Sequence, residues 1–484
     1  MQSALRRALL LCSLLTFHGS LVALQADSPE QTQKQGRPNI VLMVLDEWGY
    51  YETSHQGHKD LLTPHIDQFA QDGMRLTQFL AGAPLCGPTR ATLMLGQHSG
   101  HTSMRSNGGY APIRADNTTV ATLLNRAGYA TAGFGKWGIG GRGTSGVPTD
   151  HGFDLFYGYY DQRHAHTYYP KYLIRNGEEV PQAGNTGDFY AGDTHAQLEI
   201  HGAAMDWLGK QDAEQPFFLY LPYTVPHGLW GFPEDDPSWA LFRDKPWTAG
   251  QRTDRDARVY AAMMHLVDRQ LGELRSQLEE QGLADNTIIL LSGDNGGQDY
   301  FKTDERPRGF FGPNVDPISG QQWRGQKGQL YEGGLRIPAY AVWPGQIAAG
   351  SSSDHLGYFP DLMPTFCELS GASLPAMTDG ISILPTLLGK GKQAEHGYLY
   401  WENGGQRAVR SGDWKAVRPR QNVAWQLFNL ASDPSETTDL ANEQAELLAL
   451  MINMATEAHR PERRGEIYDR DLAQRDHTVP VNHE

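Results

Sequence analysis

Short runs of uninterrupted apolar residues alternate along this chain with longer stretches in which apolar positions recur every three or four residues. Asn39-Ile40-Val41-Leu42-Met43-Val44-Leu45 is one such run, Phe217-Phe218-Leu219-Tyr220-Leu221 a second, and Thr287-Ile288-Ile289-Leu290-Leu291 a third. Runs this short and this apolar read as strands buried on both faces. Ile66 to Gly73, Val120 to Ala127 and Ala261 to Gln281 have helical spacing instead. Strands separated by helices predict an α/β fold whose large domain has a mainly parallel central sheet covered on both sides. In such sheets the polar residues just past the strand ends share one ligand-binding rim.

After about Lys390 the pattern shortens. Tyr398-Leu399-Tyr400-Trp401, Arg407-Ala408-Val409-Arg410, Trp414-Lys415-Ala416-Val417 and Trp425-Gln426-Leu427-Phe428-Asn429-Leu430 read as short strands joined by turn residues, and Glu443 to Glu457 as a helix. The expected division is a large domain over 37–390 and a small C-terminal subdomain with an antiparallel sheet, a helix and a tail over 391–484. At the other end, Arg6 and Arg7 precede Ala8-Leu9-Leu10-Leu11-Cys12-Ser13-Leu14-Leu15, and Leu24-Gln25-Ala26 reads as a cleavage site. That is the pattern of a signal peptide over 1–26, too short for a membrane span; an amphipathic start to the first domain is the alternative. Leu11 is too bulky before Cys12 for a lipoprotein site. The expectation is an exported protein, periplasmic or secreted, without stable membrane insertion.

The 484 residues carry a formal net charge of -15. Nucleic-acid binders need a basic face to neutralise phosphates, so general nucleic-acid affinity is excluded, while an anionic small substrate met by a few local cations is not. With Cys12 in the leader, two of the three cysteines remain. Cys367 lies on an apolar helical face and reads as a small core residue. Cys86 is different. In Cys86-Gly87-Pro88-Thr89-Arg90 it stands just before a proline suited to the first helical position, at the positive end of a helix dipole and near a guanidinium. Such a place suits an anion or a reactive polar group.

Further candidates follow the strands. Asp46 and Glu47 come after the first apolar run, and Asp294 and Asn295 after the third. Taken singly each acid is a turn or cap residue; paired at two strand ends they form an oxygen-only set suited to a hard divalent cation, Ca²⁺ or Mg²⁺. Lys136 and Lys327 stand in glycine-rich contexts, Gly133-Phe134-Gly135-Lys136-Trp137-Gly138 and Trp323-Arg324-Gly325-Gln326-Lys327-Gly328, either as anion-binding ammonium groups or as ordinary loop lysines. His227, behind Pro226, reads equally as a proton donor or as a hydrogen-bonded rim histidine.

Together these residues fall into ordered motifs. The chain resembles the type I sulfatases of the alkaline phosphatase superfamily from about Pro38 to Leu440. Cys86-Gly87-Pro88-Thr89-Arg90 fits that family's C-x-P-x-R signature, and Gly128-Tyr129-Ala130-Thr131-Ala132-Gly133-Phe134-Gly135-Lys136-Trp137 fits its second. Thr63-Pro64-His65-Ile66-Asp67, Asp294-Asn295-Gly296-Gly297, Tyr331-Glu332-Gly333-Gly334-Leu335-Arg336-Ile337-Pro338 and Asp433-Pro434-Ser435-Glu436-Thr437 are also similar. The resemblance implies that Cys86 is oxidised to formylglycine by a separate maturing enzyme, and that the aldehyde hydrate is the nucleophile, steadied by Arg90. It implies Ca²⁺ held by Asp46, Glu47, Asp294, Asn295 and the modified Cys86. Lys136, Lys327 and His227 would hold the sulfate and protonate the departing alcohol.

Two positions depart from the family's commonest pattern. Glu47 stands where a second aspartate is usual, and Gly138 where many members carry a histidine after the tryptophan. The segment Asp161-Gln162-Arg163-His164-Ala165-His166 is the expected source of a replacement, with His164 or His166 reaching the nucleophile or the sugar ring. His98, His101, Arg105 and Asn107 follow the signature helix and either line the substrate pocket or serve as caps and surface groups. The function implied is hydrolysis of a sulfate ester on a small molecule or saccharide. The alternatives are a phosphate or phosphonate monoester hydrolase of the same superfamily and a non-catalytic glycan-binding relative.

Overall fold

A computed structural model describes residues 36–107, 111–247 and 255–477; the predicted leader over 1–26 lies outside the described residues. In chain order the strands are β1 (Asn39–Leu45), β2 (Met74–Leu76), β3 (Phe79–Leu80), β4 (Ala130–Lys136), β5 (Leu155–Tyr159), β6 (Tyr172–Arg175), β7 (Glu178–Pro181), β8 (Phe217–Tyr223), β9 (Thr287–Gly293), β10 (Ala339–Val342), β11 (Ser351–Ser353), β12 (Gly357–Tyr358), β13 (Leu399–Asn403), β14 (Gln406–Ser411), β15 (Trp414–Arg418) and β16 (Gln426–Asn429). Ten form one sheet in the order β11-β2-β10-β9-β1-β8-β4-β5-β6-β7. Its centre, β9-β1-β8-β4-β5, is parallel throughout, and antiparallel pairings begin where β10 joins β9 and β6 joins β5.

The apolar runs take the central places because both of their faces are covered. Along β1, Val41, Met43 and Leu45 pack into one core with Val259, Met263 and Leu266 of the helix Arg255–Glu280. Ile40, Leu42 and Val44 point the other way, into a second core with Leu93 and Met94 of the helix Cys86–Leu95 and Phe366 of the helix Leu362–Ser370. Successive strand residues alternate faces, so one slip in register would exchange the two cores. Each buried Val, Leu, Ile or Met side chain contributes roughly 1.5–3 kcal/mol. Cys367 belongs to the second core.

The four-stranded antiparallel sheet β13-β14-β15-β16 is separate. Leu399, Trp401, Ala408, Val417 and Phe428 cover one face against Leu80, Leu330 and Leu335, and Tyr400, Val409, Ala416 and Leu427 pack the other against Met451 and Ala455 of the helix Ala445–Ala458. Trp401 Nε1 donates to Ala81 O at 2.8 Å, joining this sheet to the segment that leads into Cys86. No helix among the described residues is long and apolar enough to cross a membrane.

Candidate active site

Parallel register brings the strand ends level. Leu45 pairs with both Tyr223 of β8 and Gly293 of β9, so Asp46 and Glu47, the segment from Thr224 to His227, and Asp294 with Asn295 leave the sheet side by side. Lys136 ends β4, opposite Tyr159 of β5. Asp46, Lys136, Asp294 and Asn295 are completely buried, as is Glu47 apart from a trace. Lys327 arrives on a loop pinned by two backbone bonds, Lys327 N to Gly297 O at 3.2 Å and Gly328 N to Pro84 O at 2.8 Å. Cys86 sits at the first position of its helix rather than before it, with Pro88 at the third. None of the first-turn N–H groups has an intrahelical partner, so proline fits any of the first positions and does not mark the start alone.

The cations and carboxylates interlock. Arg90 Nη1 donates to Lys136 O at 2.7 Å, and its Nη2 to Asp294 Oδ2 at 3.0 Å, with Asp46 Oδ2 3.8 Å away. Lys136 Nζ donates to Asp46 Oδ2 at 2.5 Å. Burial works to raise the Asp46 carboxyl, but Lys136, His227, Arg90 and Lys327 outweigh it and hold the group well below its usual range. Burial, and then the Asp46 charge beside it, push Asp294 up to about 7.

Glu47 is the strained member of the set. Its φ of 66° lies in the left-handed region, which costs a non-glycine residue of order 1–3 kcal/mol and persists where the surroundings impose it. The backbone N–H of Glu47 donates to Asp294 Oδ1 at 3.1 Å. Its carboxylate meets His227 Nε2 at 2.9 Å, Lys327 Nζ and the Tyr300 hydroxyl. His227 Nδ1 faces Gly228 O at 3.2 Å, and a carbonyl only accepts, so Nδ1 carries a proton; Nε2 stands between the Glu47 carboxylate and Lys327 Nζ at 3.3 Å, donating to the first when protonated and accepting from the second when not. Burial lowers the pKa of His227, and it lowers Lys327 to about 8.

The oxygen set fits a hard divalent cation. Asp46 Oδ1 and Asn295 Oδ1 are buried without a hydrogen-bond partner among the described residues, although Asn295 Nδ2 is engaged by Gly296 O. With Asp294 they offer two carboxylates and an amide oxygen at adjacent strand ends, the donor chemistry of Ca²⁺ or Mg²⁺. Asp46, Cys86 and His227 also present ligand atoms within 4.8 Å of one another.

The thiol itself is inert. Burial, and then Asp46, push Cys86 up to about 12, so its sulfur stays protonated at neutral pH despite the helix dipole. Two amides face that sulfur: Gln162 Nε2 at 3.2 Å and Asn107 Nδ2 at 3.6 Å. Asn107 is fixed in turn by Gly87, whose N–H donates to its Oδ1 at 3.0 Å. A Cβ on Gly87 would come 2.8 Å from that same oxygen.

Not every candidate joins this cluster. His166 does: its ring stacks on His227 with centroids 4.4 Å apart, and its Nε2 is buried without a partner among the described residues. His164, two residues away in the same single turn, faces instead Tyr159 and Tyr172. Arg105 spends its guanidinium on Glu402 Oε1 at 2.5 Å and on Thr102 O, Arg460 O and Gly100 O at 2.7–2.9 Å, so it ties the small sheet down rather than facing the pocket. His98 and His101 hold Asp379, His101 through Nδ1 at 2.8 Å and His98 through its backbone N–H at 2.9 Å. Burial lowers His98 to about 4. Gln162 and Tyr300 were not anticipated as site residues. Gln162 lies inside the segment expected to replace the missing histidine, but its amide carries no charge to attract notice; Tyr300 lies in a stretch with no chemical motif.

The sulfatase family profile matches residues 38–372, and the profile for the C-terminal region of N-sulphoglucosamine sulphohydrolase matches 322–460. N-acetylgalactosamine-6-sulfatase of Mus musculus is 29% identical over 422 residues, covering 82% of this chain and 75% of its own length. Arylsulfatase A of Homo sapiens is 32% identical over 432 residues, with 83% and 77% covered. Among solved structures, Ps i-CgsB in complex with k-i-k-neocarrahexaose superposes with a TM-score of 0.72 at 26% identity, over 92% of this chain and 98% of that one. With the signature cysteine, arginine and lysines gathered at one rim of a parallel sheet, this chain belongs to the sulfatase family, as a type I sulfatase of the alkaline phosphatase superfamily and a sulfuric ester hydrolase.

Proposed function

We propose that the protein removes sulfate from a sulfated carbohydrate, using position 86 in its formylglycine form as nucleophile and Ca²⁺ held by Asp46, Glu47, Asp294 and Asn295. The observation that carries this reading is the completely buried Cys86, with ligand atoms of Asp46 and His227 within 4.8 Å of its sulfur and with Arg90, Lys136 and Lys327 joined to the adjoining carboxylates of Asp46 and Glu47. A formylglycine hydrate would supply an attacking hydroxyl there, and the cation would supply positive charge against the sulfate oxygens. The names of the relatives support a saccharide substrate: one acts on N-acetylgalactosamine-6-sulfate by its name, and another was solved with a neocarrahexaose.

The chain's own residues then have distinct tasks. Arg90, locked on Lys136 O and Asp294, holds the nucleophile's surroundings and is not free to move toward substrate. Lys136 and Lys327 present ammonium groups to the sulfate oxygens. Charge grows on those oxygens and on the departing oxygen as the ester bond breaks, so these contacts stabilise the transition state more than the bound substrate. His227, with Nε2 between Lys327 and Glu47, is placed to give a proton to the departing alcohol oxygen. His166 backs its ring.

Export through the predicted leader and conversion of Cys86 by a maturing enzyme complete the reading. Three measurements test it together: peptide mass spectrometry across Cys86, rates on nitrophenyl sulfate against nitrophenyl phosphate, and activity after chelation and Ca²⁺ or Mg²⁺ return. We expect an aldehyde at position 86, preference for the sulfate, and recovery with Ca²⁺. Full activity with an unmodified Cys86 would overturn the mechanism; preference for the phosphate would move the protein to the phosphate or phosphonate hydrolases. A panel of defined sulfated saccharides then identifies the sugar and position.

A further inference from the structure

Beside position 86, Gln162 occupies the space that a side chain on Gly138 would enter first. A Cβ built on Gly138 would stand 2.7 Å from Gln162 Oε1, 3.5 Å from Arg90 Cδ and 3.8 Å from Lys136 Cε. Any side chain at 138 would therefore enter the space between the arginine, the lysine and Gln162. The backbone explains how residue 162 gets there. Strand β5 runs parallel to β4, with Lys136 opposite Tyr159, and the pairing continues past the strand ends through Trp137 N to Tyr159 O at 2.8 Å and Gly138 N to Tyr160 O at 3.1 Å. The chain after β5 then turns over Gly138, and Gln162 drops into the place. Its side chain is buried; Nε2 donates to Cys86 Sγ at 3.2 Å, while Oε1 has no hydrogen-bond partner among the described residues.

We propose that Gln162 is a positioning residue for the oxygens carried at position 86, doing with a neutral amide what a histidine at 138 would do with a ring. The inference rests on the formylglycine reading above. The Cys86 sulfur stands in for a hydrate hydroxyl, which both donates and accepts. Gln162 offers that hydroxyl a donor in Nε2–H and an unspent acceptor in Oε1; Asn107 Nδ2 offers a second donor from the other side. A buried amide oxygen without a partner is costly, and a hydroxyl at position 86 would relieve the cost. An amide does not titrate, so Gln162 orients without moving a proton. Orientation by this residue consequently does not change with pH.

The test compares Gln162→Ala and Gln162→Met, the second keeping the volume without the hydrogen bonds, with Gly138→His alone and with Gly138→His combined with Gln162→Ala. Mass spectrometry first confirms equal conversion at position 86 in each. Two readouts follow: steady-state kcat and KM on nitrophenyl sulfate, and the rate at which an aminooxy probe captures the free aldehyde. Losing the amide should lower kcat about tenfold or more with KM little changed, the scale of one or two hydrogen bonds to a reacting group. Probe capture should quicken, because the hydrate has lost its partners. The pH profile of kcat should keep its shape, and the double variant should regain part of the rate that Gln162→Ala loses.

Gln162→Met with unchanged kcat and unchanged probe capture would overturn the proposal. A pH limb that disappears with Gln162 would overturn it too, since that requires a titrating partner. These outcomes differ from failure of the wider reading, which would show as an absent aldehyde in the unsubstituted protein.

Discussion

Replacing Arg105 by methionine separates a substrate-binding role from a structural one. The guanidinium joins three places far apart in the sequence: the loop at Gly100 and Thr102, the strand residue Glu402, and Arg460 after the last helix of the small sheet. Its side chain is 9% exposed and that of Glu402 11%, so solvent screens the pair little. At an effective dielectric of 20 and a charge separation of roughly 4 Å the attraction is about 4 kcal/mol. Removing the arginine leaves Glu402 with the Tyr400 hydroxyl at 2.6 Å and His459 Nδ1 at 2.8 Å, which recover part of that. The expected loss is thus near the low end of what breaking one side of a buried pair costs, about 3 kcal/mol. Equilibrium unfolding in urea, read by tryptophan fluorescence, measures it, and Glu402→Gln in the same background should add little, because the two share one interaction. KM for a sulfated substrate should stay within about twofold, since a guanidinium already spent on Glu402 and three backbone carbonyls has nothing to offer the ester. An unchanged unfolding midpoint with KM raised tenfold would refute this assignment and return Arg105 to the substrate pocket.

Other outcomes follow from neighbouring contacts. His166→Ala should lower kcat/KM about 10- to 100-fold by unseating the His227 ring, whereas His164→Ala should leave kinetics intact and lower the thermal midpoint, because its ring packs between Tyr159 and Tyr172; equal kinetic effects in the two variants would contradict the geometry. Burial works to raise the Glu402 carboxyl, but Tyr400, Arg105 and His459 outweigh it and hold the group below its ordinary 4.5. Its contribution to stability is therefore full above the ordinary value and is lost as pH falls through the folded one, so the unfolding midpoint should drop as the pH is lowered below 4.5. Glu402→Gln should flatten that drop, and an equally steep acid limb in the variant would place the titrating group elsewhere.

The apolar runs announced β1, β8 and β9 because strands covered on both faces have no polar alternation to confuse with anything else. The edge strands β7 and β11, and β6 beside β7, are short and partly exposed, and their sequences, such as Glu178–Pro181, carry no such signal. At the site, residues directly after the apolar runs were readable, since a parallel sheet sends successive strand ends to one rim. Residues whose meaning depends on distant partners were not. Arg105 and Glu402 are 297 positions apart, and nothing near Arg105 names its partner. Gln162 was hidden for a different reason: its place depends on which strand lies beside β4, and adjacency in a sheet is a property of the assembled fold. His164 and His166 drew attention as histidines, yet the single turn that carries them sets only His166 against His227.

The complete burial of Cys86 has a consequence for timing. Its nearest neighbours include Gln162 and, through Arg90, Asp294, so its surroundings close only after the chain has been made at least that far. Between residue 86 and residue 294 lie about two hundred positions, roughly 10–40 s of synthesis at 5–20 residues per second. During that interval the sulfur is open to a large visitor; afterwards the native state closes it off. Any enzyme that alters Cys86 is consequently in a race with folding, and slowing the fold, by cold or by weakening a distant element such as β9, should increase the altered fraction, while faster folding should strand more chains with an unused thiol.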